Sequence, residues 1–363
     1  MELYIFNRNL EFIGLLDAFT SLQWTRRYAK AGDFELHCAL TRDALSLLTR
    51  ENILWKKGDP EAGYIEYRNL DQDADGNETL VIKGKFLSAY LNRRIIWGQE
   101  VLQDTAENAM RTLVTKNAIT PTDSSRIIPN LILGGVQGYP QAVNYQTSYS
   151  NLEDEIENLC SLSELGYRVR FDIANKKLVF NVYQGFDRSV NQSVNPRCIF
   201  AKEFENILKQ SYTDSLNNYR NTVLVGGMGE DVNRKLVSIG TASDLDRFEM
   251  FDDAKDLTNV VNNVTLSDAD YTNTLIDRGN SKLADTQEVQ TFDSTINLDS
   301  NLTYKTDFDL GDIVTCVSKK WGITIDARIT EVQEVYEEAG LSISVTFGNN
   351  VPTLLDKIKQ KMR

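Results

Sequence analysis

The residues able to do chemistry are few and poorly grouped. His37 is the only histidine in the 363 residues, so any Ser-His-Asp or Cys-His site must use it. It alternates with Leu36 and Cys38 in a segment that reads as a strand, and its expected role is structural. A site with several histidine ligands is excluded by count. The four cysteines, Cys38, Cys160, Cys198 and Cys316, have neither metal-ligand nor redox spacing. Their apolar or β-branched neighbours predict buried free thiols and assembly in a reducing cytoplasm.

Asp71-Gln72-Asp73-Ala74-Asp75-Gly76-Asn77 opens like a calcium loop, with Asp71, Asp73 and Asp75 as candidate metal ligands. The closing bidentate glutamate is missing, because Ile82 stands in its place. The flanks also read as strands, so a solvated hairpin turn is expected. Gly226-Gly227-Met228-Gly229-Glu230 lacks the Lys-Ser/Thr of a phosphate loop and reads as a turn. With 52 acidic residues, two carboxylates at glycosidase separation would make a peptidoglycan hydrolase, although no pair is singled out. Tyr139, Tyr145, Tyr149 and Trp321 could stack on sugars, as in a cell-wall adhesin, or simply pack. These are the two alternatives to a structural role. No catalytic residue and no cofactor is expected.

The 39 basic and 52 acidic residues leave a net charge of −13. That argues against a phosphate-neutralising footprint, hence against sequence-specific nucleic-acid binding, and against an anionic membrane surface. No apolar run approaches the ~20 residues of a membrane span. Met1-Glu2-Leu3-Tyr4-Ile5-Phe6-Asn7-Arg8 lacks the pattern of a signal peptide, so none is expected.

The elements that would position these residues change character along the chain. Residues 1–99 read as strands: Leu22, Trp24, Arg26 and Tyr28 alternate with Gln23, Thr25 and Arg27. Strands at Tyr64–Asn69 and Glu78–Lys83 flank the aspartate turn, and Thr41 caps a short helix at Arg42–Thr49. This predicts a small antiparallel barrel or strongly curved sheet. Residues 100–200 read as an inserted α+β unit. Asp104 with Glu107 looks like a capping box, and Ala106, Met110, Leu113 and Val114 share one helical face. A second helix runs from Leu152 to Leu165 with Gly166 as its stop, and a hairpin follows over residues 167–183. A polar connector spans 187–210. Residues 201–348 read as a second barrel-like region, with a helix capped by Ser267. Its meander is Ile313–Val317, Ile323–Val335 and Leu341–Phe347. A phase shift in the middle strand predicts a bulge near Glu331. Residues 349–363 read as a helical tail. The fold class is thus α+β, mainly β, with two barrel-like domains around an α+β insert.

Several stretches carry a resemblance when taken in order. They are Leu22-Gln23-Trp24-Thr25-Arg26-Arg27-Tyr28 with Gly32-Asp33-Phe34-Glu35-Leu36, then Gly84-Lys85-Phe86-Leu87 with Leu91-Asn92-Arg93-Arg94-Ile95-Ile96. Asp187-Arg188-Ser189, Asn195-Pro196 and Phe204-Glu205-Asn206 follow. Gly226-Gly227 through Glu230 comes next, with Arg247-Phe248-Glu249. Asp307-Phe308-Asp309-Leu310-Gly311-Asp312-Ile313-Val314 and Phe347-Gly348 close the set. The chain resembles the ReqiPepy-type minor tail proteins of siphophages and prophages, which look related to baseplate hubs and to N-terminal tail-associated (Tal) proteins. The resemblance implies a homotrimer at the virion tail tip. Each copy would contribute two similar β-barrels to a ring that joins the tail tube to the tip and passes DNA. It implies as partners a distal tail protein, the tape measure, and a spike or receptor-binding protein. Some relatives carry a C-terminal hydrolase or adhesin; neither is expected here.

Overall fold

Alternating apolar residues build antiparallel hairpins at both ends of the chain, and the two sets meet in one sheet. A computed structural model describes residues 1–261 and 264–348. The N-terminal set is β1 (Leu3–Phe6), β2 (Phe12–Leu16), β3 (Ser21–Arg27), β4 (Asp33–Ala39), α1 (Arg42–Leu47), β5 (Ile53–Lys56), β6 (Gly63–Gln72) and β7 (Glu78–Phe86). Thr41 caps α1 by accepting from the Ala44 N–H at 3.1 Å. The inward positions Leu22, Trp24, Phe34, Leu36, Ile82 and Phe86 are buried together. Phe34 lies across Gly63 and Gly84. A Cβ on Gly84 would stand 2.0 Å from the Tyr64 carbonyl oxygen and 2.6 Å from the Phe34 ring.

The middle segment holds β8 (Gln99–Thr105), α2 (Ala106–Val114), β9 (Leu131–Leu133), β10 (Ala142–Ser148), α3 (Leu152–Ser163), β11 (Gly166–Asp172) and β12 (Lys177–Tyr183). The apolar stripes of α2 and α3 bury Met110, Leu113, Ile156 and Leu159 against β11 and β12. Two local expectations are corrected. Thr105, rather than Asp104, is the N-cap of α2, accepting from the Asn108 N–H at 3.3 Å. Glu107 turns away from the cap and accepts from the backbone of Gln137, Gly138 and Tyr139 at 2.7, 2.8 and 3.2 Å. Glu164, at φ 57°, makes the left-handed stop of α3. Gly166 is instead small for contact: a Cβ there would meet the Tyr28 ring at 2.5 Å.

The last segment runs β13 (Ile199–Ala201), β14 (Ile207–Ser215), β15 (Thr222–Gly226), β16 (Leu236–Ile239), β17 (Glu249–Asp253), β18 (Val260–Val261), β19 (Val264–Thr265), α4 (Asp268–Ala284), β20 (Val289–Ile296), β21 (Ile313–Ser318), β22 (Ile323–Glu337) and β23 (Gly340–Gly348). The expected polar connector therefore ends in two strands, β13 and β14. Ile199, Phe200 and Ala201 ladder in parallel with β21, and Phe200 is fully buried. Ser267 caps α4 as expected, its hydroxyl accepting from the Asp270 N–H at 3.0 Å. The bulge falls at Thr330, between Ile329 and Glu331.

Among the described residues the largest sheet has 13 strands, in the order β14-β20-β23-β22-β3-β4-β7-β6-β5-β1-β2, with β13 and β21 branching from β22. Among the described residues no sheet closes on itself. Instead β3 and β22 pair antiparallel from Arg27 opposite Glu331 to Ser21 opposite Glu337, and the two curved halves become one surface. The fold is mainly β, with one short helix in the first segment and the longer helices on the middle and last segments. The expected tail at 349–363 lies outside the described residues.

Candidate functional site: a buried ionic junction

Where β3 joins β22, the inward row of β3 continues from Leu22 and Trp24 to a charge. Arg26 is only 1% exposed. Its guanidinium reaches Tyr304 Oη at 2.9 Å, Asp309 Oδ1 at 2.8 Å and Glu61 Oε2 at 3.4 Å. From β5, Lys56 bonds Glu334 of β22 and stands 3.3 Å from Asp59. Lys305 closes the cluster, 3.2 Å from Asp59 and 3.7 Å from Glu334. The Lys56 ammonium also lies 5.5 Å from the Trp24 ring and 5.3 Å from the Tyr336 ring. Three cations thus face four carboxylates gathered from both halves of the sheet.

Burial sets the electrostatics. It raises the Glu61 carboxyl to about 7, Asp59 adding to the rise and Arg26 opposing it. Burial acts on Asp59 too, but Arg26, Lys56 and Lys305 outweigh it and hold that carboxyl below its usual range. Such a network fixes geometry: breaking one member leaves an uncompensated buried charge, at a cost of about 3–5 kcal/mol. The alternation Leu22, Trp24, Arg26 carried the signal, since a charge in an inward row requires a partner. The partners were not legible, because Lys56 and Glu334 stand 278 positions apart.

A group of carboxylates lines a polar cleft of about 360 Å³ between the middle segment and α4. Its acids have partners. Asp252 lies 3.6 Å from both Arg278 and Lys282, Asp256 pairs with Arg278, and Asp253 pairs with Arg234. Glu155 accepts from the buried Tyr145 hydroxyl. Gln146 and Thr258 exchange bonds across the cleft at 2.7 and 3.2 Å, which ties the middle segment to the last one. The cleft is therefore a seam of ion pairs.

The residues singled out from sequence are scattered. Asp71 is the penultimate residue of β6, and Asp73 and Asp75 lie in the exposed turn. The Asp73 carboxylate accepts from the Asp75 and Asn77 N–H groups, both at 2.9 Å, and from Asn77 Nδ2 at 2.8 Å. Its oxygens thus organise the hairpin. Among the described residues no group of three His, Cys, Asp or Glu could hold a metal ion. His37 bonds Glu35 at 2.7 Å on the outer face of β4. All four cysteines are free and buried, and burial pushes the Cys198 thiol up to about 12. Tyr145 is buried, whereas Tyr149 is exposed and Trp321 is exposed with its ring near Phe292. No helix among the described residues is long and apolar enough to cross a membrane.

The whole-chain architecture is that of phage tail proteins. The 43 kDa tail protein of prophage MuSo2 from Shewanella oneidensis superposes with a TM-score of 0.58 at 12% identity, over 96% of this chain and 98% of that one. Prophage tail protein gp18 from Listeria monocytogenes EGD-e gives 0.56 at 14% identity, over 100% and 98%. A tail protein from Neisseria meningitidis MC58 gives 0.54 at 11%, over 96% of each chain. These likenesses define a tail-protein fold. The sequence itself goes further: residues 2–349 match the Siphovirus ReqiPepy6 Gp37-like protein family, and the chain belongs to that family. It is a structural phage tail protein, a virion component. No curated protein matches the sequence.

Proposed function

We propose that this protein is a hub subunit of the tail tip. Three copies would form a ring that joins the tail tube to the distal structures and encloses a conduit for DNA. The observation that carries the reading is the doubled sheet: each copy presents two curved halves fused edge to edge through β3 and β22. Three such copies offer six comparable halves to a six-fold tube and three-fold symmetry to a spike or fibre. Residues 1–99 and 201–348 supply the two barrel-like units, and 100–200 the insert. The neighbours would be a distal tail protein, the tape measure, and a spike or receptor-binding protein. A net charge of −13 suits a lumen along which phosphates slide without sticking. Light scattering on the purified protein, then negative-stain imaging, tests this. A three-fold ring with a central hole is expected; a particle of one chain mass at all concentrations overturns it.

A further inference from the structure

The two halves of the sheet repeat each other strand for strand. In the first half β5, β6, β7, β4 and β3 lie in that order; in the second, β21, β22, β23, β20 and β14 do. The ladders fix the correspondence. Phe34 of β4 opposes Gly84, and Phe292 of β20 opposes Phe347, at the matching point of each half. Trp24 opposes Phe34, and Tyr212 opposes Phe292. The long hairpin strands carry their bulge at the same place, after Ile65 in β6 and after Ile329 in β22. Thus β3 corresponds to β14, and β6 to β22.

This repeat has a consequence at the edges. Inside the chain the stretch of β22 beyond its bulge is covered by β3. Among the described residues the corresponding stretch of β6, Tyr67–Gln72, ladders only with β7, and β14 ladders only with β20. Each therefore has a bare edge, a template for another strand. Tyr67 and Leu70 are 49% and 52% exposed there. We propose that β14 of one copy pairs antiparallel with β6 of the next, in the register that β3 and β22 hold within the chain. Carrying that register across puts Asp214 opposite Arg68, Tyr212 opposite Leu70, and Thr213 opposite Asn69. Opposite charges and an aromatic–aliphatic pair thus face each other, as cross-strand pairs favour. The contact joins different surfaces, so it propagates around an axis and closes. This inference rests on the trimer reading and names its interface.

The test is a disulfide between copies. Opposed residues on paired strands lie ~4.5–5.5 Å apart at Cα, within disulfide range. The four native thiols are buried. Within one chain six strands separate β14 from β6, so positions 69 and 213 can join only between copies. Mild oxidation of a Thr213→Cys/Asn69→Cys variant should give a covalent trimer on a non-reducing gel, and either single variant should not. Asp214→Arg, at an exposed position, should weaken self-association about tenfold or more, and adding Arg68→Asp should restore it. A wild type that is trimeric by mass but neither cross-links at 69/213 nor responds to Asp214→Arg overturns this interface and leaves the trimer standing. A wild type monomeric at all concentrations overturns both.

Discussion

Lys56 places an ammonium among Trp24, Tyr336, Asp59 and Glu334, where water hardly reaches. Lys56→Met keeps the stem and removes the charge, so Asp59 and Glu334 lose a counter-ion. Urea denaturation should show a loss of about 3–5 kcal/mol, with part regained when Glu334→Gln is added. Glu61 sets a pH dependence. Its carboxyl titrates at about 7 in the folded protein and near the ordinary ~4.3 when unfolded. The folded state therefore holds a proton that the unfolded chain releases. The stability from this group is complete below the ordinary carboxylate range and drains away as pH climbs to about 7, by roughly 4 kcal/mol at most. Glu61→Gln imitates the protonated form. The melting temperature of the wild type minus that of Glu61→Gln should fall between pH 5 and pH 8; a flat difference would remove this account.

Elements show how packing and pairing divide the work. Phe34 fills the N-terminal half because two glycines, Gly63 and Gly84, leave room beneath its ring. Gly84→Val would force a branched side chain against the Tyr64 carbonyl, which belongs to a paired strand and cannot withdraw. A loss of about 1–3 kcal/mol in chemical denaturation is expected. The same elements mark what the sequence could reveal. Strands with one face in the core, such as β23 with Ile343, Val345 and Phe347 inward, announced themselves by alternation. Helices with side-chain caps at Thr41 and Ser267 did so by their first residues. Strand β14 did not, because between Leu208 and Ser215 it carries polar residues apart from Tyr212, so no period of two appears. The site was legible only as an oddity, Arg26 in an apolar row. Its partners come from strands and loops that only the tertiary fold assembles.

At the scale of the whole molecule, one 13-stranded sheet among the described residues runs through both halves. The junction between its halves is covered by a backbone ladder and sealed below by the ionic cluster. A surface so acidic overall should leave duplex DNA alone. Electrophoresis with labelled DNA at about 50 mM salt, where phosphate contacts are strongest, should show no retarded species. Retardation that disappears at higher salt would mean a basic face and would contradict a lumen that lets DNA slide.

The β3·β22 ladder also governs when the chain can fold. Its members lie some three hundred residues apart, so a ribosome that has made the first three hundred residues has supplied β4 on one side of β3 but not β22 on the other. Until Glu331–Glu337 emerges, Arg26 and Glu61 lie beside an unfinished edge. Contacts this distant in sequence slow folding and leave nascent strands open to wrong partners. Completion of the first hairpins therefore waits on the last ones to be translated, and a stalled or shortened product would be a target for chaperones and proteases rather than a working part.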